Sequence, residues 1–176
     1  MLFTQAKLKG AYLIELDRKV DERGFFARAW CQNEFQAQNL VSQFVQCNVS
    51  WNKSKGTLRG MHRQVAPHEE SKLIRCTRGA VYGVMLDLRR DSPTFRKWQG
   101  FELTEENHKS IFIPGGCAAG YQTLADDSEV VYLVSEFYTA GAEEGVRYND
   151  PTFGIEWPTE VKVISEKDTS WPDYAL

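Results

Sequence analysis

The densest group of side chains able to do chemistry lies in and just after Leu58-Arg59-Gly60-Met61-His62-Arg63-Gln64. Within seventeen residues lie the imidazole of His62 and four cations: Arg59, Arg63, Lys72 and Arg75. Histidine is the side chain best suited to take up a proton near neutral pH, while arginine and lysine bind anions. This segment is therefore the leading candidate for proton transfer on a small anionic ligand.

Arg59 and His62 are three residues apart, so they would face opposite ways on a regular strand. Both can point at one ligand only if the strand bends or bulges between them, and Gly60 permits such a bulge. The other two histidines, His68 and His108, are weaker candidates. His108 follows Glu105-Glu106-Asn107 in a predicted turn and is expected at the surface.

The elements that must position these residues are predicted to be strands, because turn signals punctuate the chain at short intervals. One helix is predicted at Asn33–Val41 with Asn33 as its cap, and a turn at Thr104–Asn107. The predicted strands are Ala11–Asp17, Gln43–Ser50, Lys72–Cys76, Ala80–Leu88, Gly100–Leu103, Ser110–Ile113, Val130–Tyr138 and Lys162–Ile164.

Alternation along two of these strands places polar groups together. One face of the predicted strand Gln43–Ser50 carries Gln46, Asn48 and Ser50, and its other face carries Val45, Cys47 and Val49. Either face could meet solvent, but a polar face inside a barrel would form a ligand site. The same alternation in the predicted strand Val130–Tyr138 places Tyr132 and Tyr138 on one face.

Composition limits the class of protein. The chain has 176 residues, of which 42% are hydrophobic and 26% charged, which predicts one globular domain over residues 1–176. No stretch predicts a membrane span, the four cysteines lack CxxC spacing, and a net charge of −3 gives no case for nucleic acid. A cytoplasmic protein is expected.

Over nearly its whole length the sequence resembles the dTDP-4-dehydrorhamnose 3,5-epimerases. The resemblance lies in ordered motifs: Asp21-Glu22-Arg23-Gly24-Phe25-Phe26, Gln46-Cys47-Asn48-Val49-Ser50, Leu58-Arg59-Gly60-Met61-His62, Lys72-Leu73-Ile74-Arg75, Asp87-Leu88-Arg89 with Ser92-Pro93-Thr94-Phe95, Asn149-Asp150-Pro151, Gly154-Ile155-Glu156-Trp157-Pro158 and Ser165-Glu166-Lys167-Asp168. So many motifs in one order make coincidence a poor explanation.

The resemblance implies an all-β double-stranded β-helix, the cupin-like jelly roll, with one or two short helices. It also implies a homodimer formed by exchange of N-terminal strands and a reaction without metal or organic cofactor. The implied substrate is a 4-keto-hexose linked to a nucleotide diphosphate, with dTDP expected first and CDP or GDP as alternatives. Protons would leave C3, C5 or both through an enolate, in deoxysugar and polysaccharide biosynthesis.

Matching the family's motifs residue by residue assigns roles. The resemblance makes His62 the base, Asp168 the carboxylate that orients it, Lys72 the donor to the enolate oxygen and Tyr132 the acid on the opposite ring face. The implied substrate contacts are Arg59 and Arg23 at the diphosphate, with Arg23 reaching across a dimer, together with Phe26, Gln46, Asn48 and Tyr138.

Two positions depart from the family pattern. Ala119, in Cys117-Ala118-Ala119-Gly120, stands where the family usually has a histidine beside the lysine, which removes one donor and opens room. Arg28 stands where the family often has a glutamate near the nucleotide. These departures favour an altered substrate or regiochemistry over inactivity, because His62, Lys72, Tyr132 and Asp168 are all present.

Three other functions stay open on the sequence. A 3,4-ketoisomerase of the same barrel class would also move protons but would leave the carbonyl on another carbon. A non-catalytic sugar-nucleotide binding protein fits the change at Ala119. A metal-dependent cupin would use His62, His68 and Glu69 or Glu70, although the usual pair of histidines separated by one residue is missing.

Overall fold

The computed structural model describes residues 1–175, and Leu176, the last residue of the expected domain, lies outside them. Two α-helices occur in this range, α1 (Gln32–Ala37) and α2 (Glu166–Thr169). The strands are β1 (Leu2–Gln5), β2 (Tyr12–Glu15), β3 (Lys19–Asp21), β4 (Gly24–Phe26), β5 (Gln46–Asn52), β6 (Leu58–Gln64), β7 (Lys72–Arg78), β8 (Ala80–Asp87), β9 (Trp98–Thr104), β10 (Ser110–Ile113), β11 (Cys117–Thr123), β12 (Ser128–Val134) and β13 (Glu143–Gly145).

Two antiparallel sheets make up the architecture of residues 1–175. One contains six strands in the order β1-β2-β10-β7-β12-β5, and the other contains five in the order β13-β6-β11-β8-β9. Strands β3 and β4 form a separate hairpin. The arrangement confirms the predicted all-β jelly roll with two short helices, neither of which is long and apolar enough to cross a bilayer.

Apolar side chains form three clusters in layers. The first lies between the sheets and joins Ile74 and Ile111 of the six-stranded sheet to Met85 and Leu103 of the other. The second covers the outside of the five-stranded sheet with the segment that contains Phe153. The third packs α1 and its flanking aromatic residues on the outside of the six-stranded sheet. The three clusters thus bury the space between the sheets and much of the outer face of each sheet.

Several sequence predictions were wrong in detail. Strands β1, β3, β4, β6, β11 and β13 and helix α2 were missed. Strand β11 escaped notice because Cys117–Thr123 is rich in small residues and is buried on both faces, so it shows no alternation. The predicted strand Lys162–Ile164 forms only one bridge, between Val163 and Thr57. The cap of α1 is Cys31 rather than Asn33.

The bulge predicted at Gly60 is confirmed. His62 pairs with Ala119 and Arg59 pairs with Tyr121, so two residues of β6 stand opposite the single residue Gly120 of β11. Gly60 has φ of 130°, and a Cβ atom there would lie 2.5 Å from the Cα of Gly120. A side chain at residue 60 would therefore meet backbone that cannot move aside.

We expect Gly60→Ala to lower the free energy of unfolding by about 3 to 5 kcal/mol, because it adds a backbone collision to an unfavourable φ. The matched control is Gly24→Ala, which has φ of 119° but no atom within 4 Å of its Cβ position. The control should lose only about 1 to 3 kcal/mol. Urea titration measures both, and equal losses would contradict the collision argument.

A buried carboxylate anchors the loop after β8. The side chain of Asp87 accepts hydrogen bonds from the backbone and guanidinium of Arg89 and from the hydroxyls of Ser92 and Thr94, at 2.6 to 3.0 Å. Burial raises the pKa of Asp87, but these donors outweigh it and hold the pKa well below its usual range. Arg89 and Thr94 also bond the backbone of Lys9, so the cluster fastens the N-terminal segment to β8.

Because the pKa of Asp87 is lower in the folded state, its stabilisation is present above the unfolded value of about 3.9 and fades as the pH falls below it. We expect Asp87→Asn to lower the free energy of unfolding at pH 7 by about 3 kcal/mol and to flatten its decline between pH 5 and 3. Asp91→Asn, at an exposed side chain in the same loop, is the control. Equal pH slopes in the wild type and Asp87→Asn would contradict the assignment.

Candidate active site

A cavity of about 470 Å³ opens between the two sheets, which is within the range of small-molecule sites. The six-stranded sheet contributes Ser50, Lys72 and Tyr132, and the five-stranded sheet contributes Arg59, His62 and Tyr121. Helix α2 and its cap close one side with Ser165, Lys167 and Asp168. The structure thus brings together His62, Lys72, Tyr132, Asp168 and Arg59, as the sequence analysis predicted.

His62 and Asp168 form a direct pair. The Nε2 atom of His62 lies 2.6 Å from Oδ1 of Asp168, although the two residues are 106 positions apart. Burial raises the pKa of Asp168, but the bond from His62 and backbone donors outweigh it, so the pKa stays below its usual range. The ionised carboxylate accepts the Nε2 hydrogen, and this network assigns the basic lone pair to Nδ1.

Helix α2 is too short to be stable alone and is held by specific contacts. Ser165 caps it, because its hydroxyl accepts a hydrogen bond from the backbone of Asp168 at 3.1 Å. The second oxygen of Asp168 accepts from the backbone N–H of Gly60 at 3.3 Å. Asp168 is therefore fixed to the bulge of β6 as well as to the imidazole that it orients.

Lys72 is held by two acceptors. Its Nζ lies 2.9 Å from Oε1 of Glu70 and 3.2 Å from the backbone oxygen of His62. The side chains of Lys72 and Glu70 are each only 11% exposed. A cation at this place can stabilise negative charge that develops on an oxygen in the cavity.

Tyr132 faces His62 across the cavity. Tyr132 lies on β12 of the six-stranded sheet and His62 on β6 of the five-stranded sheet, so the two side chains enter from opposite walls. Burial raises the pKa of Tyr132, and nearby Tyr121 and Glu70 raise it further. The phenol therefore keeps its proton at neutral pH and can donate it.

Arg59 lies at the exposed end of the cavity and is oriented by a polar network. Its Nε donates to Oδ1 of Asn52 at 2.8 Å, and the amide of Asn52 in turn donates to the hydroxyl of Tyr121 at 3.3 Å. Ser50 bonds the same hydroxyl at 2.8 Å. An arginine fixed through Nε keeps its two amino groups for an anionic ligand.

The polar face of β5 points inward, as one of the two sequence interpretations held. Gln46, Asn48 and Ser50 are half-buried, while Val49 and Trp51 on the other face are 65% and 51% exposed. The predicted strand Val130–Tyr138 is too long, because β12 ends at Val134, so Tyr138 does not share a strand face with Tyr132. Tyr138 is 63% exposed, and its backbone N–H donates to the side chain of Gln46.

Arg23 and Phe26 do not reach the cavity of their own chain. Both lie in or beside the β3–β4 hairpin, where the Arg23 side chain is 84% exposed and Phe26 is 73% exposed. Arg23 pairs with Asp21 of the same hairpin. Arg28, which departs from the family pattern, pairs with Glu34 at 3.3 Å.

Three polar residues of the site were missed by the sequence analysis. Glu143 lies 4.0 Å from Nδ1 of His62 and also pairs with Lys167, which lines the cavity. Tyr121 joins Ser50 to Asn52. Lys167 could have been found, because it precedes Asp168 in a recognised motif, whereas nothing in the sequence around Glu143 marks it.

The alternative metal ligands do not converge. Among residues 1–175, no three histidine, cysteine, aspartate or glutamate side chains are placed to hold a metal ion. His62 is engaged with Asp168, and Glu70 with Lys72. Ala119, the other position that departs from the family pattern, lines the cavity and pairs across strands with His62, so its small side chain leaves space beside the imidazole.

Comparisons with known proteins identify the family of this chain. A model of the dTDP-4-dehydrorhamnose 3,5-epimerase family matches residues 5–175. The dTDP-4-dehydrorhamnose 3,5-epimerase of Shigella flexneri is 42% identical over 149 residues, which are 84% of this chain and 82% of that protein.

Solved structures with the same name superpose closely. The enzyme from Elizabethkingia anophelis gives a TM-score of 0.96 at 36% identity, covering 99% of this chain and 96% of that one. The enzyme from Bacillus anthracis, solved with TDP and PPi bound, gives 0.93 at 37% identity, covering 97% and 98%. The chain therefore belongs to the dTDP-4-dehydrorhamnose 3,5-epimerase family, whose members are isomerases of nucleotide sugars.

Proposed function

We propose that this protein epimerises a 4-keto-hexose linked to a nucleotide diphosphate, by moving protons at the carbons next to the carbonyl. The observation that carries the proposal is the placement of a base and an acid on opposite walls of one cavity, His62 with Asp168 on one and Tyr132 on the other. Inversion of a ring carbon requires proton removal on one face and proton return on the other.

His62 acts as the base in this proposal. Asp168 holds the imidazole through Nε2 and stabilises the imidazolium that forms when Nδ1 takes a proton. A proton on carbon is acidic enough for imidazole only if the electron pair left behind enters an adjacent carbonyl. The keto group must therefore neighbour the carbon that reacts.

Lys72 stabilises the oxygen that becomes negative when the enolate forms. Its ammonium is charged, largely buried and fixed before the reaction, which are the conditions under which such a donor is most effective. Ala119 supplies no donor of its own. The chain consequently depends on Lys72 where its family usually has a histidine as well.

Tyr132 then returns a proton to the opposite face of the carbon. Because its pKa is raised, Tyr132 stays protonated until the enolate carbon accepts the proton. The enolate collapses to the keto form with inverted configuration, and solvent exchange restores His62 and Tyr132. Electron pair and proton both balance without a redox step.

The nucleotide is proposed to be dTDP. Arg59, oriented by Asn52 at the exposed end of the cavity, is placed to bind a diphosphate in a charge-assisted pair. The Bacillus anthracis relative holds TDP, which supports the same base here. A solved relative from Streptomyces bikiniensis is named a 3'-monoepimerase, so one or two inverted carbons both fall within the family.

A second copy of the chain is proposed to complete the site. The β3–β4 hairpin projects Phe25, Phe26 and Val20, which are 42%, 73% and 76% exposed, and the outer face of β5 exposes Val49 and Trp51. Apolar surface of this extent fits a homodimer that buries it. In such a dimer, Arg23 and Phe26 would reach the partner's cavity.

We also propose that the protein functions in the cytoplasm. All four cysteines of the described residues are free thiols, as a reducing compartment would leave them. Burial raises the pKa of Cys76 to about 11 and that of Cys117 to about 12, so both stay protonated.

Proton NMR of a dTDP-linked 4-keto-6-deoxyglucose in deuterated buffer tests the activity. We expect solvent deuterium at C3, C5 or both, with the epimer as product. A carbonyl found on another carbon would instead identify a ketoisomerase. The experiment is repeated with CDP- and GDP-linked sugars. Tight binding of a sugar without deuterium uptake would indicate a non-catalytic binding protein.

Substitutions of the base and of the acid should have different effects on deuterium uptake and on inversion. His62→Asn removes the base, so deuterium uptake and inversion should both be lost. Tyr132→Phe keeps the base, so deuterium should still enter from the His62 face while inversion falls at least about 100-fold. Tyr12→Phe, a phenol in the cluster on the outer sheet face, is the control. Equal loss of exchange and inversion in Tyr132→Phe would contradict the two-wall mechanism.

Mixed dimers test whether Arg23 acts across the interface. Arg23→Ala and His62→Asn chains are each expected to be nearly inactive alone. If Arg23 serves the partner's cavity, unfolding and refolding them together should restore about a quarter of wild-type activity, because each mixed dimer has one intact site. If Arg23 served its own chain, the mixture would stay inactive. Sedimentation velocity verifies the dimer.

A further inference from the structure

Glu70 stands directly against the ammonium group of Lys72, and its one effect described above is to help raise the pKa of Tyr132. Its Oε1 lies 2.9 Å from Nζ, and its side chain is 11% exposed. In the part of the chain described, Lys72 lines the cavity and Glu70 does not. We propose that Glu70 is a positioning residue, which aims the ammonium of Lys72 at the substrate oxygen; the proposal rests on the epimerase function above.

The contact with Glu70 restricts the direction of the ammonium hydrogens of Lys72. An ammonium has three donors, and the contacts within residues 1–175 give one to Glu70 and one to the backbone oxygen of His62. One donor is left for the cavity. A lysine side chain has four flexible carbons, so without the carboxylate its ammonium would sample many positions, only some of which face the enolate oxygen.

Glu70 is itself held by a rigid frame. The buried amide of Gln64 lies 3.5 Å from Oε2 of Glu70 and donates to the backbone oxygens of His68 and Phe137 at 3.2 and 3.1 Å. The amide oxygen of Gln64 accepts from the backbone of Thr139 at 2.7 Å. The carboxylate that aims Lys72 is therefore tied, through Gln64, to the segment that contains Phe137 and Thr139.

The contact with His62 links the two reacting groups. Lys72 bonds the backbone oxygen of the same residue whose imidazole is the base. Displacing the ammonium would thus weaken the alignment between base and enolate oxygen. The rate of the chemical step should therefore fall, because a ground-state carbonyl accepts a weaker hydrogen bond than an enolate does.

Positioning and charge predict opposite results for one substitution. If Glu70 mainly opposed the negative charge of the enolate, Glu70→Gln would speed the reaction. If it positions Lys72, Glu70→Gln keeps an acceptor and slows the reaction modestly, while Glu70→Ala removes the acceptor and slows it more. The comparison of the two variants therefore separates the explanations.

Steady-state kinetics on the full chain provide the first test. We expect kcat of Glu70→Ala to fall about 10- to 100-fold with KM nearly unchanged, and that of Glu70→Gln to fall less. Glu69→Ala, which removes a neighbouring exposed carboxylate, should match the wild type. Unchanged kcat in Glu70→Ala, or a faster Glu70→Gln enzyme, would overturn the proposal.

Amine labelling gives a second test that needs no activity. Acetylation followed by peptide mass spectrometry should modify Lys72 severalfold faster in Glu70→Ala than in the wild type, with exposed Lys53 as the internal reference. Equal labelling of Lys72 would refute its restraint by Glu70. A wild type that exchanges no deuterium with any sugar nucleotide would refute the proposed function instead, and labelling would still decide the role of Glu70.

Discussion

The site depends on the close contact between Gly60 of β6 and Gly120 of β11. Two glycines let the strands approach closely enough for a bulge, and the bulge turns both Arg59 and His62 toward the cavity. It also frees the backbone N–H of Gly60 to bond Asp168. One local irregularity therefore sets the directions of Arg59, of the His62 imidazole and of the Asp168 carboxylate that holds that imidazole.

The two sheets divide the chemistry between them. The five-stranded sheet and the attached α2 hold the imidazole and its carboxylate, while the six-stranded sheet holds the lysine and the phenol. A reaction that needs groups on both faces of a sugar ring suits a cavity with two facing walls. The apolar cluster between the sheets, with Ile74 and Met85, keeps the walls at a constant separation.

The sequence alone predicted which residues come together at the cavity better than it predicted the bounds of the strands and helices. The bulge followed from a glycine between two residues of opposite parity, and the gathering of His62, Lys72, Tyr132 and Asp168 followed from the family motifs. Alternation could not decide which face of β5 is inside, because its outer face is apolar too, with Val49 and Trp51. Glu143 escaped notice and Glu70 was considered only as a metal ligand, since a glutamate that becomes buried by tertiary contacts looks like a surface residue in sequence.

The pair of His62 and Asp168 joins positions 106 residues apart. Strands β7 to β13 lie between them in sequence, so the carboxylate reaches the imidazole only after most of the barrel has assembled around it. Contacts of such long range form late, because closing a long loop costs entropy before any interaction compensates it. In a partly assembled barrel the imidazole of His62 therefore lacks the carboxylate that orients it, and it gains that partner only when α2 docks on β6.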